Sequence, residues 1–303
     1  MPVIEEYRKA LSHAGCDVIV ATVQERLSEA ELLPLIGEVD GIICGDDQLT
    51  ERVLAQAPRL QVISKWGTGI DSIDLEAASR HGITVCNTPN AFSEPVADTV
   101  FGYVLAFARK PDLMNRDIRQ GLWRKPQLTA LNETTLGIIG VGNCGRAVAR
   151  RARAFGMRLV GCDPVTPPDD FLASTGMAMA TQAELLKCAD FVTLHTTLNP
   201  TSYHLIDREA LRLMKPNAVL INTSRGPVVD EGALVEALEA GRIAGAALDV
   251  FETEPLPSDS PLRQLETALL APHNANSSPR AAEHVHENTI RNLLEHLALR
   301  TPR

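Results

Sequence analysis

Two patterns of hydrophobic and polar positions alternate along most of this 303-residue chain. Short runs rich in valine, isoleucine and leucine predict buried strands. The stretches between them, in which apolar residues recur at helical spacing, predict amphipathic helices. Strands that alternate with helices are typical of parallel sheets with crossover helices. The chain is therefore predicted to be an α/β protein with doubly wound parallel sheets.

The predicted strands fall into two series, which indicates two domains. The first series contains "DVIVAT", "GIICG", "QVISKW" and "ITVCN", and the second contains "TLGIIG", "RLVGCD", "FVTLH", "AVLINT" and "GAALDVF". A long apolar helix, with Ser93 as a candidate cap and Pro95 in its first turn, joins the two series. Because the last helical stretch follows the second series, we expect a boundary near residues 93–96 and a return crossing near residue 279. Only "VI" precedes the first helix, where a doubly wound domain would normally open with a strand.

Composition narrows the class of protein. Hydrophobic residues make up 45% of the chain and charged residues 22%, which is typical of a globular protein with a sizeable core. A net charge of −9 argues against nucleic acid or an anionic membrane as the main partner. The first ten residues, "MPVIEEYRKA", are acidic where a secretion signal would be basic, so we expect no such signal, and no apolar run approaches the length of a membrane span. The six cysteines form no Cys-x-x-Cys pair and no zinc spacing, so we expect reduced thiols, a cytoplasmic protein and no metal site.

A glycine-rich turn follows the strand "TLGIIG". In "GVGNCG", Gly140 would permit a tight turn, Gly142 would let the backbone approach a pyrophosphate, and Gly145 would let helix and strand pack closely. The following helix would offer free amides to the phosphates. Eighteen residues after Gly145 the next strand ends in Asp163, placed to accept hydrogen bonds from ribose hydroxyls. With no Arg or Lys after this carboxylate, the sequence predicts NAD rather than NADP.

Three further residues follow strands of the second series. Arg225 lies in "INTSRG", Glu254 in "DVFETEP" and His273 in "APHN". Each also has a non-catalytic interpretation: Arg225 could form a surface ion pair, Glu254 could lie in a solvated turn, and His273 could be a capping side chain. Since the carboxyl ends of parallel strands face one crevice, we expect the three to converge beside the nucleotide. His284 and His286, two residues apart on the last helix, are expected to be surface residues and not ligands.

Taken together, these motifs identify a family resemblance. The chain resembles the NAD-dependent D-2-hydroxyacid dehydrogenases, and among them the phosphoglycerate dehydrogenases most closely. Six stretches match blocks of that family in the same order: "KWGTGIDSIDLEAA", "NTPN", "GIIGVGNCGR", "HTTLNPTSYHLI", "NTSRGPVVDEGALVEALEAGRIAGAALDVFETEP" and "APH". The resemblance implies a Rossmann NAD-binding domain (95–279) inserted into a flavodoxin-like substrate domain (1–94 and 280–303). It also implies a homodimer.

The resemblance assigns roles to individual residues. Arg225, Glu254 and His273 would be catalytic: His273 as the acid–base, Glu254 raising its pKa, and Arg225 binding the substrate carboxylate. Backbone amides around Gly67, Thr68 and Gly69 would hold the same carboxylate, and Lys65 would contact a substrate phosphate. The expected cofactor contacts are Gly140, Gly142, Asn143, Cys144, Gly145, Asp163, Thr196, Thr223, Ser224 and Asp249.

Departures from the family pattern leave the substrate open. Phosphoglycerate dehydrogenases usually carry arginine at the positions of Lys65 and Cys44, so one phosphate-binding cation is weakened and one is absent. Asn274-Ala275-Asn276 replaces a small glycine- or alanine-containing turn, and a chain ending at Arg303 is expected to lack the serine-sensing domains of longer relatives. 3-Phosphoglycerate is the first substrate to expect, with glyoxylate or hydroxypyruvate as the alternative. Formate dehydrogenases, which share the fold, resemble this chain less, because they have glutamine at the position of Glu254. NAD-sensing corepressors, a binding class, carry a disordered tail.

Overall fold

A computed structural model describes residues 4–23 and 25–297 of the chain. By their internal contacts the residues form two compact units. One comprises the chain up to Phe92 together with the segment from Ser278, and the other comprises Ser93–Ser277. Both units are built on parallel sheets, which confirms the predicted α/β class. No helix of the described residues is long and apolar enough to cross a membrane.

The first unit contains a three-stranded parallel sheet in the order β1-β2-β3. Its strands are β1 (Gly41–Cys44), β2 (Val62–Lys65) and β3 (Thr84–Cys86), and its helices before the second unit are α1 (Ile4–His13), α2 (Glu29–Ile36), α3 (Glu51–Leu54) and α4 (Leu75–Arg80). In the register of β1 and β2, Cys44 lies opposite Lys65. The three carboxyl ends therefore lie at one edge of the sheet.

The last helix, α12 (Pro279–His296), belongs to this first unit. Ser278 caps it by accepting a hydrogen bond from the amide of Ala281. Leu293 and Leu294 pack in a buried cluster with Leu11 and Val62. The Ser64 hydroxyl on β2 donates to the carbonyl of Thr289 at 2.7 Å. Apolar burial and a buried hydrogen bond thus join α12 to the sheet.

The strand predicted over "DVIVAT" is wrong. Residues 17–22 adopt no regular structure, and Ile19 and Val20 are 65% and 47% exposed. A run of β-branched residues forms a strand only where it finds a neighbouring strand and a face to bury, and this segment pairs with none among the described residues. Of the dipeptide "VI" before the first predicted helix, Val3 lies outside the described residues, and Ile4 is the first residue of helix α1.

The second unit contains a seven-stranded parallel sheet in the order β10-β9-β8-β7-β4-β5-β6. The strands are β4 (Thr135–Ile139), β5 (Arg158–Cys162), β6 (Ala178–Met179), β7 (Phe191–Leu194), β8 (Val219–Asn222), β9 (Gly245–Leu248) and β10 (Ala268–Leu270). The two-residue β6 is too short to be visible as a hydrophobic pattern. The strand order reverses between β4 and β7, which makes their carboxyl ends the switch point where such sheets bind ligands.

Helices cover both faces of this sheet. They are α5 (Ser93–Arg109), α6 (Pro111–Arg119), α7 (Asn143–Ala154), α8 (Asp169–Thr175), α9 (Gln182–Cys188), α10 (Arg208–Leu213) and α11 (Glu231–Glu239). Successive strand residues alternate between two buried clusters. Ile138 and Ile221 pack with α5 and α7, whereas Ile139 and Leu220 pack with α9, α10 and α11. The Rossmann-like architecture predicted for the second domain is confirmed.

Candidate functional site

The glycine-rich turn joins β4 to α7 at the switch point of the sheet. Gly140 has a φ of +91°, and a Cβ there would lie 2.5 Å from the carbonyl oxygen of His195. A Cβ on Gly145 would collide with the carbonyl oxygen of Gly140. A Cβ on Gly142 would meet no atom of the described residues within 4 Å. Two of the glycines are therefore required by the fold of the turn, whereas Gly142 leaves open space over the start of α7.

The residues around this space suit a dinucleotide. Gly142 is the N-cap of α7 and has no side chain to accept the amides of the first turn, where Asn143 and Cys144 lie. At the ends of β7 and β8 the hydroxyl oxygens of Thr196 and Thr223 are buried, and within the described part of the chain neither has a hydrogen-bond partner. Buried hydroxyls are nearly always hydrogen-bonded, so these two are expected to meet polar groups of a ligand.

Asp163 follows β5 beside the glycine turn. Its Oδ2 accepts the amide of Val141, within the turn, at 2.7 Å, and its Oδ1 accepts the amide of Val165 at the same distance. These bonds fix the carboxylate and leave each oxygen with acceptor capacity for a ribose hydroxyl. The neighbouring Cys144 places its sulfur 3.5 Å from the Ser93 hydroxyl, and burial raises the pKa of this thiol.

Arg225 lies on the loop after β8, and Asn222 shapes that loop. The Asn222 side chain is buried; its oxygen accepts both the amide and the hydroxyl of Ser224, and its nitrogen donates to the carbonyl of Arg225 at 2.9 Å. The Arg225 guanidinium donates through Nη1 to the carbonyl of Ser224. The hydroxyl of Ser224 is thus used to hold the loop.

His273 and Glu254 form a pair at the same edge of the sheet. Nδ1 of His273 lies 2.9 Å from Oε2 of Glu254, and Oε1 of Glu254 accepts the amide of Phe251 at 2.9 Å. Because a carboxylate can only accept, Nδ1 is the protonated ring nitrogen and Nε2 is the basic one. A neutral histidine of this tautomer, held by an anchored carboxylate, can exchange a proton through Nε2.

Asp249 holds the loop that carries His273. It is 1% exposed, and its two carboxylate oxygens accept the amides of Asn274 and Ala275, both at 2.9 Å. Its carbonyl accepts the amide of His273 at 2.7 Å. His273 has a φ of +49°, a left-handed conformation that is uncommon for a residue with a side chain. The contacts of Asp249 therefore hold the loop in this conformation. In the segment Asn274-Ala275-Asn276, it is the backbone amides of Asn274 and Ala275 that bind Asp249, not the side chains.

The predicted carboxylate loop lies in the first unit, after β2. Thr68 donates its hydroxyl to the carbonyl of Thr88, Asn87 donates to the carbonyl of Thr68, and the amide of Thr88 donates to the carbonyl of Gly67. The amides of Thr68 and Gly69 donate no hydrogen bond to any residue that the structure describes. The loop is therefore fixed through its carbonyls and side chain, and these two amides remain available for an anion.

Lys65, the predicted phosphate contact, is not a solvent-exposed cation. Its side chain is 5% exposed, and its Nζ lies 3.0 Å from Oδ1 of Asp46 and 3.3 Å from the carbonyl oxygen of Trp66. Asp46 follows β1, the strand paired with β2. The charge of Lys65 is thus partly compensated within the protein.

Three residues that shape the candidate site, namely Asn222, Asp46 and His195, were not singled out from the sequence. Asn222 and Asp46 could have been found by the rule that singled out Arg225, since both lie at carboxyl ends of parallel strands. Burial lowers the pKa of His195 to about 4, and its Nε2 lies 2.9 Å from the Thr193 hydroxyl, so it packs as a neutral ring behind the glycine turn. The assignment of His286 to the surface is incomplete, because its Nδ1 accepts the indole N–H of Trp66 at 3.0 Å.

Comparisons with known proteins agree with this geometry. Residues 101–275 match the family described as D-isomer specific 2-hydroxyacid dehydrogenase, NAD binding domain. The chain is 43% identical to a glyoxylate reductase of Korarchaeum cryptofilum over 80% of this chain and 76% of the relative. It is 40% identical to a D-3-phosphoglycerate dehydrogenase of Methanocaldococcus jannaschii, over 92% of this chain but 53% of that protein.

A solved structure extends the likeness to the whole fold. A D-lactate dehydrogenase from Aquifex aeolicus, complexed with NAD and lactic acid, superposes with a TM-score of 0.85 at 29% identity, covering 98% of this chain and 95% of that one. The chain belongs to the family of D-isomer specific 2-hydroxyacid dehydrogenases, which are NAD-dependent oxidoreductases, and residues 101–275 contain its NAD-binding domain. The predicted family and cofactor are confirmed.

Substitution of Gly142 tests whether the open space above it binds the pyrophosphate. We expect Gly142→Ala to leave the melting temperature close to that of the unaltered protein, because the added methyl meets no atom of residues 4–23 and 25–297 within 4 Å. The same methyl would obstruct the pyrophosphate, so NADH binding measured by fluorescence titration should weaken about tenfold or more.

Two comparisons control this experiment. Gly145→Ala should lower both stability and NADH affinity, because its Cβ collides with the backbone of the turn. Gly102→Ala, on α5 with no described atom within 4 Å of the added methyl, should leave NADH affinity unchanged and raise stability slightly, because alanine favours a helix interior over glycine. Unchanged NADH affinity in a folded Gly142→Ala protein would contradict the assignment of this space to the pyrophosphate.

Proposed function

We propose that this protein reversibly reduces a 2-oxo acid to the D-2-hydroxy acid with NADH, and that His273, Glu254 and Arg225 carry out the proton and substrate chemistry. The observation that carries the proposal is the His273–Glu254 pair, with 2.9 Å between Nδ1 and Oε2, at the carboxyl edge of the sheet that bears the glycine turn. Parallel strands bring their carboxyl ends to one crevice, which supports a role beside the nicotinamide.

The nicotinamide, when bound, supplies the hydride that adds to C2 of the 2-oxo acid. His273 then delivers the proton from Nε2 to the C2 oxygen, so that oxo acid, NADH and one proton give hydroxy acid and NAD⁺. The Glu254 carboxylate stabilises the imidazolium before this transfer, because it is held against Nδ1 by the Phe251 amide. In the oxidative direction His273 removes the hydroxyl proton.

Arg225 is proposed to bind the substrate carboxylate. A guanidinium can hold a carboxylate through two parallel hydrogen bonds and can also polarise the C2 oxygen. In the first unit, the amides of Thr68 and Gly69, which donate to no described residue, are proposed to bind an anionic group of the substrate. Asp163 favours NAD(H) over NADP(H), since the residues after it offer no cation for a 2′-phosphate.

Two classes of 2-oxo acid, phosphorylated and unphosphorylated, are candidate substrates. The names of similar proteins divide between glyoxylate reductase and D-3-phosphoglycerate dehydrogenase. The resemblance to phosphoglycerate dehydrogenases predicts 3-phosphoglycerate first, through Lys65, whereas the pairing of Lys65 with Asp46 favours glyoxylate, hydroxypyruvate or another unphosphorylated acid. The six cysteines are free thiols, which supports the proposal of a cytoplasmic protein.

Substitution of the catalytic set tests the proposed function. We expect His273→Ala to lower kcat/KM for 2-oxo acid reduction by about 10²–10⁴-fold, the usual effect of losing a general acid, while NADH binding stays nearly unchanged. Arg225→Ala should also lower kcat/KM severely, because it removes both the carboxylate contact and the polarisation of the C2 oxygen. Glu254→Gln, which keeps an acceptor for Nδ1 but loses the charge, should act more mildly. Stopped-flow absorbance of NADH measures all three.

His284→Ala is the matched control, because His284 is an exposed histidine on α12. It should retain the kinetics of the unaltered protein. Near-normal turnover by His273→Ala would rule out the proposed acid–base role, even if the protein proved to be a dehydrogenase.

We also propose that the second unit forms a homodimer through an apolar surface at the end of α6. Ile118, Leu122 and Trp123 are 54%, 37% and 80% exposed and lie within a few residues of one another. Large apolar side chains clustered on a surface are typical of interfaces, and tryptophan is enriched at their centres. A second copy of the chain is the proposed occupant, as the family resemblance implies.

Light scattering after size-exclusion chromatography tests this surface. We expect a dimer for the unaltered protein and a shift to monomer for the Ile118→Ser/Trp123→Ser double variant, since the interface would then bury two polar side chains in place of two apolar ones. Val165→Ser removes an apolar residue that is 71% exposed elsewhere on the same unit and should leave the dimer intact. A double variant that stays dimeric would place the interface elsewhere.

A further inference from the structure

A side chain of helix α5 also holds the loop that carries His273. Oγ1 of Thr99 donates to the carbonyl of Ala275 at 3.1 Å, and Oδ2 of Asp249 accepts the amide of the same residue at 2.9 Å. Both backbone polar groups of Ala275 are therefore hydrogen-bonded, the amide to the residue after β9 and the carbonyl to α5. Ala275 is 3% exposed, so an unpaired carbonyl there would be costly.

The hydroxyl of Thr99 serves this loop and not its own helix. A threonine within a helix commonly donates to the carbonyl three or four residues before it, as Thr175 of α8 does to Phe171 at 2.7 Å. Thr99 instead donates to a residue that lies 176 positions later in the chain. Because threonine is less favourable than alanine or leucine in a helix interior, its contribution at this position is the hydrogen bond to the loop.

Helix α5 provides a fixed support for this contact. Its apolar residues Ala97, Val100 and Val104 are fully buried in the cluster that α5 shares with α7. On the exposed side, Arg151 of α7 pairs with Asp98 at 2.7 Å. Since α7 begins at the glycine turn, the same pair of helices supports the cofactor turn and, through Thr99, the histidine loop. Groups carried by packed helices are held more precisely than groups on loops.

Tyr103 lies one turn after Thr99 on the same face of α5. Its side chain is buried, and burial together with the charge of Asp249 raises the pKa of Tyr103 to about 12, so it stays a neutral phenol. Asp249 is the residue that binds the amide of Ala275. This face of α5 therefore lies along the end of β9 and the loop after β10.

We propose that Thr99 is a positioning residue for proton transfer, because its hydroxyl holds the Ala275 carbonyl and so keeps Nε2 of His273 in one place. The inference rests on the proposed function, since it concerns the residue that transfers the proton. His273 lies two residues before Ala275 and has a φ of +49°, a conformation that the loop contacts must maintain. Without the Thr99 hydroxyl the Ala275 peptide can turn, and small displacements of a reacting group cost large factors in rate.

Thr99→Val is the direct variant, because valine keeps the shape of the side chain and removes the donor. With hydroxypyruvate or glyoxylate as substrate, we expect kcat/KM for reduction by NADH to fall about five- to tenfold, the scale of one hydrogen bond. The dissociation constant of NADH should stay unchanged. Thr99→Ser, which keeps the hydroxyl, should retain most of the activity. No loss in Thr99→Val, or equal losses in the two variants, would overturn the proposal.

Combination with His273→Ala distinguishes positioning from a general structural role. If Thr99 acts through His273, Thr99→Val has no imidazole to displace in the His273→Ala protein. Single-turnover absorbance of NADH should then show less than about a twofold further decrease in rate, because two residues that act as one unit are not additive. A further decrease as large as the one in the unaltered background would overturn the proposal.

Thr134→Val is the matched control. Thr134 is 4% exposed, donates its hydroxyl to the carbonyl of Leu131 at 2.7 Å, and directly precedes β4 at the amino edge of the same sheet. Its loss should lower the melting temperature but leave kcat/KM per NADH-binding site unchanged. A decrease in kcat/KM equal to that of Thr99→Val would overturn the proposal. If Thr99→Val does not fold, Thr99→Ala removes the same hydroxyl with a smaller side chain.

The outcomes separate this inference from the function on which it rests. If the unaltered protein reduced no 2-oxo acid with NADH, or if His273→Ala kept near-normal turnover, the proposed function would fail and the inference with it. An enzyme that loses activity in His273→Ala but keeps it in Thr99→Val would leave the proposed function intact and overturn the inference alone.

Discussion

The buried carboxylate of Asp249 is the interaction on which the proposed active site depends. It accepts the amides of Asn274 and Ala275, while its carbonyl accepts the amide of His273. Burial raises the pKa of Asp249, and the two loop amides oppose that rise by favouring the carboxylate. The same contacts hold His273 in a left-handed conformation, which would be costly for an unrestrained loop. Without them, His273 would have no defined position relative to Glu254.

The backbone amide of Asp249 connects the histidine loop to the arginine loop. The amide of Asp249 donates to the carbonyl of Asn222 at 3.0 Å, and the Asn222 side chain in turn holds Ser224 and the carbonyl of Arg225. Two buried polar residues at the ends of β8 and β9 thus support the loops that carry the proposed catalytic set. Buried networks of this kind define a geometry because every member must be satisfied at once. The apolar clusters on both faces of the sheet keep these strand ends in place.

Much of the fold could be predicted from the sequence, because short apolar runs form buried strands and apolar residues at helical spacing form helices that cover them. The five strands predicted for the second domain are present, and the glycine spacing anticipated the backbone contacts of Gly140 and Gly145. The segment "DVIVAT" failed because strand formation depends on a neighbour that the local sequence does not encode. The roles of individual site residues remain predictions. Their types and strand-end positions were visible in the sequence, but the pairing of Lys65 with Asp46 was not, since it depends on the register of two strands.

The central claim is that the protein transfers a hydride to C2 of a 2-oxo acid and protonates the adjoining oxygen, giving the D isomer. Its most direct test uses NADH deuterated at C4 of the nicotinamide on the transferred face, with pyruvate or hydroxypyruvate as acceptor, followed by mass spectrometry and chiral chromatography of the product. The account predicts one deuterium at C2 of the hydroxy acid, in the D configuration alone. Recovery of the L isomer, or of a hydroxy acid without deuterium at C2, would contradict it.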